Sequence, residues 1–487
     1  MSGVFDLLVR GATVVDGSGA PGRVADVAVA GGHIAAIGDL SQATAVHTVD
    51  ATGRVLSPGF IDVHTHDDRA LLTPGAMTSK LSQGVTTVVT GNCGLSLAPG
   101  AVRGAIPPPL DLIATPEWLR FARFADYLAA IDAQGAAVNA VCLVGHLTLR
   151  ANTMDDLERA ATPAECQAMQ DLLAEALDAG AFGLSTGTFY PPARHAGIDE
   201  IVAVGEPLRA HGALFATHMR NEAEKVIDAL DETFEIGRRL GVRVLISHHK
   251  LAGVANHGRS FETLERIAAA MEKQPVSIDC YPYNASSTVL RPEFVARASS
   301  VLVSWSQPLP QHAGRTLADI ARDMGCSDQE AAARLMPAGA IYFMMDEADV
   351  RRILAFPKTM VGSDGMPHDE HPHPRLWGTF PRVLGHYARE ERLFSLETAV
   401  HKMTGLTAEE LGLPGRGRVA LGHAADLVLF DPATVHDRAT FAEPRALSAG
   451  IDRVWVNGRL AFAQGCAQDV SAGRVLRRQK ARVAVPG

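Results

Sequence analysis

Between residues 55 and 365, eight short apolar runs alternate with longer stretches of helical periodicity, and several of the runs end on a histidine or an aspartate. The runs are VLSPGFIDV before His64, VTTVVT before Gly91, VNAVCLVG before His146, AFGLS ending at Ser185, ALFAT before His218, VRVLIS before His248, VSIDCYP around Asp279, and TMVGS before Asp364. Runs rich in β-branched residues, with helical patterns between them, point to βα units and a parallel sheet covered on both faces. The clearest helical patterns cover 163–179, 222–240, 260–273 and 396–411. Eight such units over residues 56–419 predict an α/β fold, a (β/α)8 barrel with insertions.

The flanks have a different texture. Residues 1–55 alternate apolar and polar positions in short runs broken by Gly and Asp, and the same pattern returns in 420–487, in ADLVLFDP and RVWVNGRLAF. Short strands at a chain end are marginal alone, so the two flanks are expected to form one composite β-domain. Within the barrel, an insertion at about 288–346 holds a Pro-rich stretch, WSQPLPQHAG, and two helix-like runs, and is expected over the strand C-terminal ends.

Composition narrows the function classes. A net charge of −9 argues against a nucleic-acid or anionic-membrane partner, since both need clustered cations. Six scattered cysteines without a CxxC pair argue against a disulfide framework or a zinc finger. The N-terminal residues lack a signal-peptide pattern, and no window reaches the roughly 18 apolar residues of a membrane span. A cytoplasmic protein is the expectation.

The histidines carry the chemistry. FIDVHTH sets His64 and His66 two residues apart, and in a strand positions i and i+2 share a face, so both imidazoles can meet one ion. His218, His248 and Asp364 each follow a predicted strand directly, and Cys93 lies in the turn GNCG after another. On a barrel, all these ends face one rim, and the mixture of imidazoles, a thiolate and a carboxylate suits zinc. Taken singly, each has an ordinary reading: a rim histidine, a turn-capping aspartate, or a buried apolar cysteine such as Cys142, Cys166 and Cys280 are expected to be. Six such residues at the ends of five strands are not explained that way. His146 also ends a strand and is read as a supporting or substrate residue; His249 points elsewhere.

FIDVHTH, GNCG, THMRNE, SHHK, GSDG and GHAADLVLFD, with YPYNASST and HPHPRLWGTF, resemble the amidohydrolase superfamily in its N-acyl-D-amino acid deacylase (D-aminoacylase) branch, across essentially the whole chain. The resemblance implies a distorted (β/α)8 TIM barrel, a small β-sandwich built from both termini, and an inserted subdomain. It implies a tight zinc site of Cys93, His218 and His248, with His64, His66 and Asp364 as a neighbouring position open to a weaker second metal. Hydantoinases and dihydroorotases use a carbamylated lysine ending the fourth strand; here AFGLSTG offers none, and Cys93 is available instead.

The implied reaction is zinc-dependent hydrolysis of N-acyl-D-amino acids to a carboxylate and a free D-amino acid. Asp364 is the expected catalytic group, moving a proton from water to the leaving amine. Lys250, Tyr281, Ser287 and Arg375 are expected to hold the substrate carboxylate, Lys250 also because it shares a strand face with His248. Arg220, Asn221 and Glu222 are expected to orient the site, and His368, His371 and His373 to shape a rim loop. Arg291 would pair with an acidic substrate side chain and Phe294 would line an apolar pocket; broad or hydrophobic side chains are the preferred expectation. The alternatives are an N-acyl-D-glutamate-selective deacylase, a cyclic amide hydrolase, and a non-catalytic barrel in an assembly.

Overall fold

A computed structural model describes residues 4–100, 106–468 and 471–478. Eight parallel strands build the barrel: Phe60–Asp62, Val85–Thr90, Asn139–Cys142 continued by Val144–Gly145, Gly183–Gly187, Leu214–His218, Val244–Ile246, Val276–Cys280 and Thr359–Val361. All eight lie within the apolar runs of the sequence or extend at most two residues past them, and every residue in them is buried. Strand one meets strand eight at a single parallel bridge, Thr65 to Gly365. There the Asp364 N–H donates to the His64 carbonyl at 2.7 Å, and the His66 N–H donates to the Gly365 carbonyl at 3.0 Å. The irregular seam of the barrel is therefore closed by the residues around the expected metal ligands.

One expected strand is two. VLSPGFIDV divides at Gly59 into Val55–Pro58, which belongs to the terminal sheet, and Phe60–Asp62, which enters the barrel. A side chain on Gly59 would collide with Thr86, so only glycine lets the chain cross there. The helical pattern 396–411 also divides, into Leu396–Met403 and Gly405–Leu411. Gly405 packs against the Gly17 carbonyl where a Cβ would clash, and Thr404 leaves helical geometry at φ −138°, ψ −84°. Pro163–Ala179 forms as expected: Thr162 and Glu165 cap it reciprocally, Pro163 opens the first turn, and Gly180 ends it at φ +111°.

The termini share one nine-stranded sheet, joined where Leu427–Phe430 pairs antiparallel with Val55–Pro58. Its alternation divides the burial. Leu427 and Leu429 pack with Leu7, Val9, Val27, Val29 and Trp455 in the sheet's own core, whereas Val428 and Phe430 join the core of the barrel. The inserted segment carries a three-stranded antiparallel sheet of Ala285–Val289, Ser300–Ser306 and Ala338–Phe343, with helices Leu317–Met324 and Asp328–Leu335 and a core of its own. Among the described residues, no helix is long and apolar enough to cross a membrane.

Candidate metal centre

The structure gathers all six expected ligand residues. Donor atoms of His64, His66, Cys93 and Asp364 lie within 4.8 Å of one another, as do those of Cys93, His218 and His248. Cys93 belongs to both groups, with its Sγ 3.3 Å from His64 Nε2 and 3.4 Å from His248 Nε2. His248 Nε2 is 3.1 Å from His218 Nδ1, and Asp364 Oδ1 is 3.3 Å from His66 Nε2 and 3.6 Å from His64 Nε2.

Local backbone geometry aims these side chains. Cys93, His248 and Asp364 hold left-handed φ of +55°, +36° and +49°, a conformation of order 1–3 kcal/mol above the usual wells for a non-glycine residue. The surrounding packing imposes it. Around Cys93, Gly145 and Gly187 leave room for the turn GNCG to lie directly on strands three and four, and Ser185 Oγ donates to the Gly91 carbonyl while accepting the Gly94 N–H at 3.0 Å.

Acidic residues under the rim orient the imidazoles. Asp279 Oδ2 faces His64 Nδ1 at 3.4 Å, and its Oδ1 accepts the His248 N–H at 2.8 Å. Glu222 Oε1 sits 3.0 Å from His248 Nδ1, and its Oε2 lies 3.5 Å from His218 Nε2. Carboxylates behind metal-binding imidazoles are the usual way to fix ring orientation. Glu222 was expected in this role. Asp279 was not singled out beyond its strand, although an acidic residue inside the buried run VSIDC was the available signal. Arg220 turns away to Glu232, at 2.8 Å, and Asn221 caps the backbone N–H groups of Ala223 and Lys225.

The charge pattern fits a cation. Burial raises the Cys93 thiol, but the facing His64 and His248 imidazoles outweigh it and hold the thiol well below its ordinary range. Burial lowers His66, but Asp364 and Cys93 outweigh that and push it up to about 9. Asp364 stays well below the usual carboxylate range because Arg375 and His66 outweigh its burial. A thiolate, a carboxylate and four imidazoles facing one another form a donor set suited to zinc.

Beside the cluster lies a cavity lined by Cys93, His218, His248 and Asp364 and by Phe189, Tyr190, Phe294, Tyr342, Met344 and Met366. Lys250, Tyr281 and Ser287 also line it. Lys250 Nζ is engaged: it donates to Glu222 Oε1 at 2.7 Å and lies 2.7 Å from His248 Nδ1. Arg375 is buried against two of the lining residues, its guanidinium 4.5 Å over the Tyr281 ring and 3.0 Å from Asp364 Oδ2. Ser287 Oγ and Arg375 Nε are buried and make no hydrogen bond among the described residues. Arg291 pairs with Glu293 and is not among the lining residues, whereas Phe294 is, together with Arg297. His146 lies apart, 3.3 Å from Glu200, and His249 faces Thr263 at 2.9 Å. His371 and His373 bind the backbone carbonyls of Phe441 and Ala285, at 2.7 and 3.1 Å, and so brace the rim loop.

The Amidohydrolase family matches residues 47–462. D-aminoacylase of Alcaligenes xylosoxydans xylosoxydans is 58% identical over 98% of both chains, and N-acyl-D-aspartate deacylase of the same organism is 56% identical over 93% of this chain and 91% of its own. A D-aminoacylase structure described by its binuclear metal centre, with one-metal activation and second-metal attenuation, superposes with a TM-score of 0.95 at 57% identity, covering 97% of this chain and all of the other. N-acyl-D-glutamate deacylase of Bordetella bronchiseptica, solved with zinc and a phosphonate mimic of the tetrahedral intermediate, gives a TM-score of 0.94 at 47% identity over 98% of this chain and all of the other. With its distorted barrel, its Cys93 turn and similarity to these proteins over nearly its full length, the chain belongs to the amidohydrolase family, in the N-acyl-D-amino acid deacylase branch.

Proposed function

We propose that the protein hydrolyses the amide bond of N-acyl-D-amino acids with zinc as cofactor, releasing a carboxylate and a free D-amino acid. The observation that carries the reading is the pair of buried donors without hydrogen bonds, Ser287 Oγ and Arg375 Nε, next to a cluster of metal-binding side chains. Buried donors left open are costly, and a substrate carboxylate is the group that would complete them. Cys93, His218 and His248 would hold one zinc, with His64, His66 and Asp364 around a second position that shares Cys93. Zinc, when bound, supplies Lewis acidity toward the amide carbonyl and toward water. Asp364 accepts a proton on its carboxylate and returns it to the amine nitrogen, without which the C–N bond does not break at a useful rate. Lys250, Tyr281, Ser287 and Arg375 fix the α-carboxylate, so that only one face of the amide meets Asp364. The aromatic and methionine walls exclude water and favour apolar side chains.

A second reading, selectivity for acidic D-amino acids, is favoured by Arg297 in the cavity wall, whose nearest carboxylate, Glu224, is 4.0 Å away. Metal analysis with a screen of N-acyl-D- and N-acyl-L-amino acids tests both. The first reading expects bound zinc and a higher kcat/KM for N-acetyl-D-leucine than for N-acetyl-D-glutamate. A strong preference for the glutamate would transfer the assignment to the second, and turnover confined to L-substrates or hydantoins would defeat both.

A further inference from the structure

We infer that Lys80 is a positioning residue that sets the distance between the His64–His66 arm and the Asp364 arm of the metal centre. This rests on the proposed ligand set. Lys80 lies in the short helix Thr78–Leu81, outside every motif that suggested the site, and it is completely buried. Its Nζ donates to Asp62 Oδ2 at 2.7 Å, to Thr65 Oγ1 at 3.0 Å and to Ser363 Oγ at 2.8 Å, and is 3.2 Å from Asp67 Oδ2.

Each partner adjoins a ligand. Thr65 stands between His64 and His66, Ser363 immediately precedes Asp364, and Asp62 ends strand one two residues before His64. Asp62 spans the same seam, accepting the Ser363 N–H at 2.8 Å and the Ser363 hydroxyl at 2.6 Å. Strands one and eight otherwise share only the bridge at Thr65, so the ammonium and the Asp62 carboxylate take the place of a regular ladder where the two arms converge. Gly365 makes this possible: a Cβ there would stand 3.2 Å from Lys80 Nζ and 2.8 Å from Leu376 Cδ1.

The test titrates zinc into chelated K80M, S363A, H66A and unmodified protein by calorimetry, with melting curves of the chelated and zinc-loaded forms. The expected result is that the zinc affinity weakened in H66A is weakened at least tenfold in K80M and several-fold in S363A, while the affinity that H66A leaves unchanged stays within about threefold. A purely structural lysine would lower both melting curves equally; a positioning lysine reduces the gap between them. If K80M does not fold, S363A, which keeps the Lys80–Asp62 pair, decides alone. Zinc affinities like those of unmodified protein in S363A and in folded K80M, with H66A weakened, overturn this inference only. An unweakened H66A removes the ligand reading and this inference with it.

Discussion

Asp364 contacts two imidazoles and one guanidinium at once. Asp364→Asn keeps the shape and an oxygen donor but removes the proton-accepting charge. It is expected to retain most of the zinc by metal analysis while kcat falls by roughly 10²–10⁴. Cys93→Ser exchanges the shared thiolate for a neutral hydroxyl and is expected to lose zinc and activity together. The titration state of the metal-free cluster adds a pH dependence. Since His66 is pushed up to about 9, below that pH it carries a proton that a metal must displace. Zinc affinity measured with a competing chelator is therefore expected to rise with pH up to about 9, roughly tenfold per unit for each proton displaced. An affinity flat between pH 6 and 9 would contradict this.

At the scale of elements, the turn GNCG depends on glycines that are not in it. A side chain at Gly145 would strike the Gly94 carbonyl, and one at Gly187 would strike the Cys93 carbonyl. Neither glycine has the positive φ that would by itself demand glycine, so the requirement is one of space. Gly187→Ala is expected to destabilise the fold by about 1–3 kcal/mol, as overpacking does, and to lower zinc content by displacing Cys93. Thermal melts of the chelated protein and metal analysis read the two effects separately. Ser185 stands on strand four, where the sequence predicts the absence of a bridging lysine. Its hydroxyl grips the turn that delivers the thiolate.

For the whole molecule, bound zinc is expected to stabilise the fold. A ligand that binds only the folded state at a thousandfold excess over its Kd stabilises it by about 4 kcal/mol. Chelation is expected to lower Tm, and readdition of zinc to restore it; an unchanged Tm would mean that the metal contributes nothing to folding. The terminal sheet joins Val55–Pro58 to Leu427–Phe430, strands nearly 370 residues apart in the chain, and Val428 and Phe430 reach the barrel core. Truncation before Leu427 is therefore expected to yield insoluble protein rather than a free barrel.

The sequence by itself located the eight barrel strands, the helix Pro163–Ala179 and the six residues that cluster at the rim, because a strand buried on both faces must be apolar and the residues at or just past its C-terminal end face the rim. Tertiary structure alone decided the rest. Lys80 carries no pattern, since its importance comes from partners at positions 62, 65, 67 and 363 that no local period connects. Lys250 has the expected place, yet its ammonium is engaged by Glu222, a contact made across two separate loops. The division of VLSPGFIDV at Gly59 and the sharing of Cys93 between both donor groups likewise follow from which backbones come close enough to touch. Periodicity records which face of an element is buried, whereas the distance between two elements is settled only when the barrel closes.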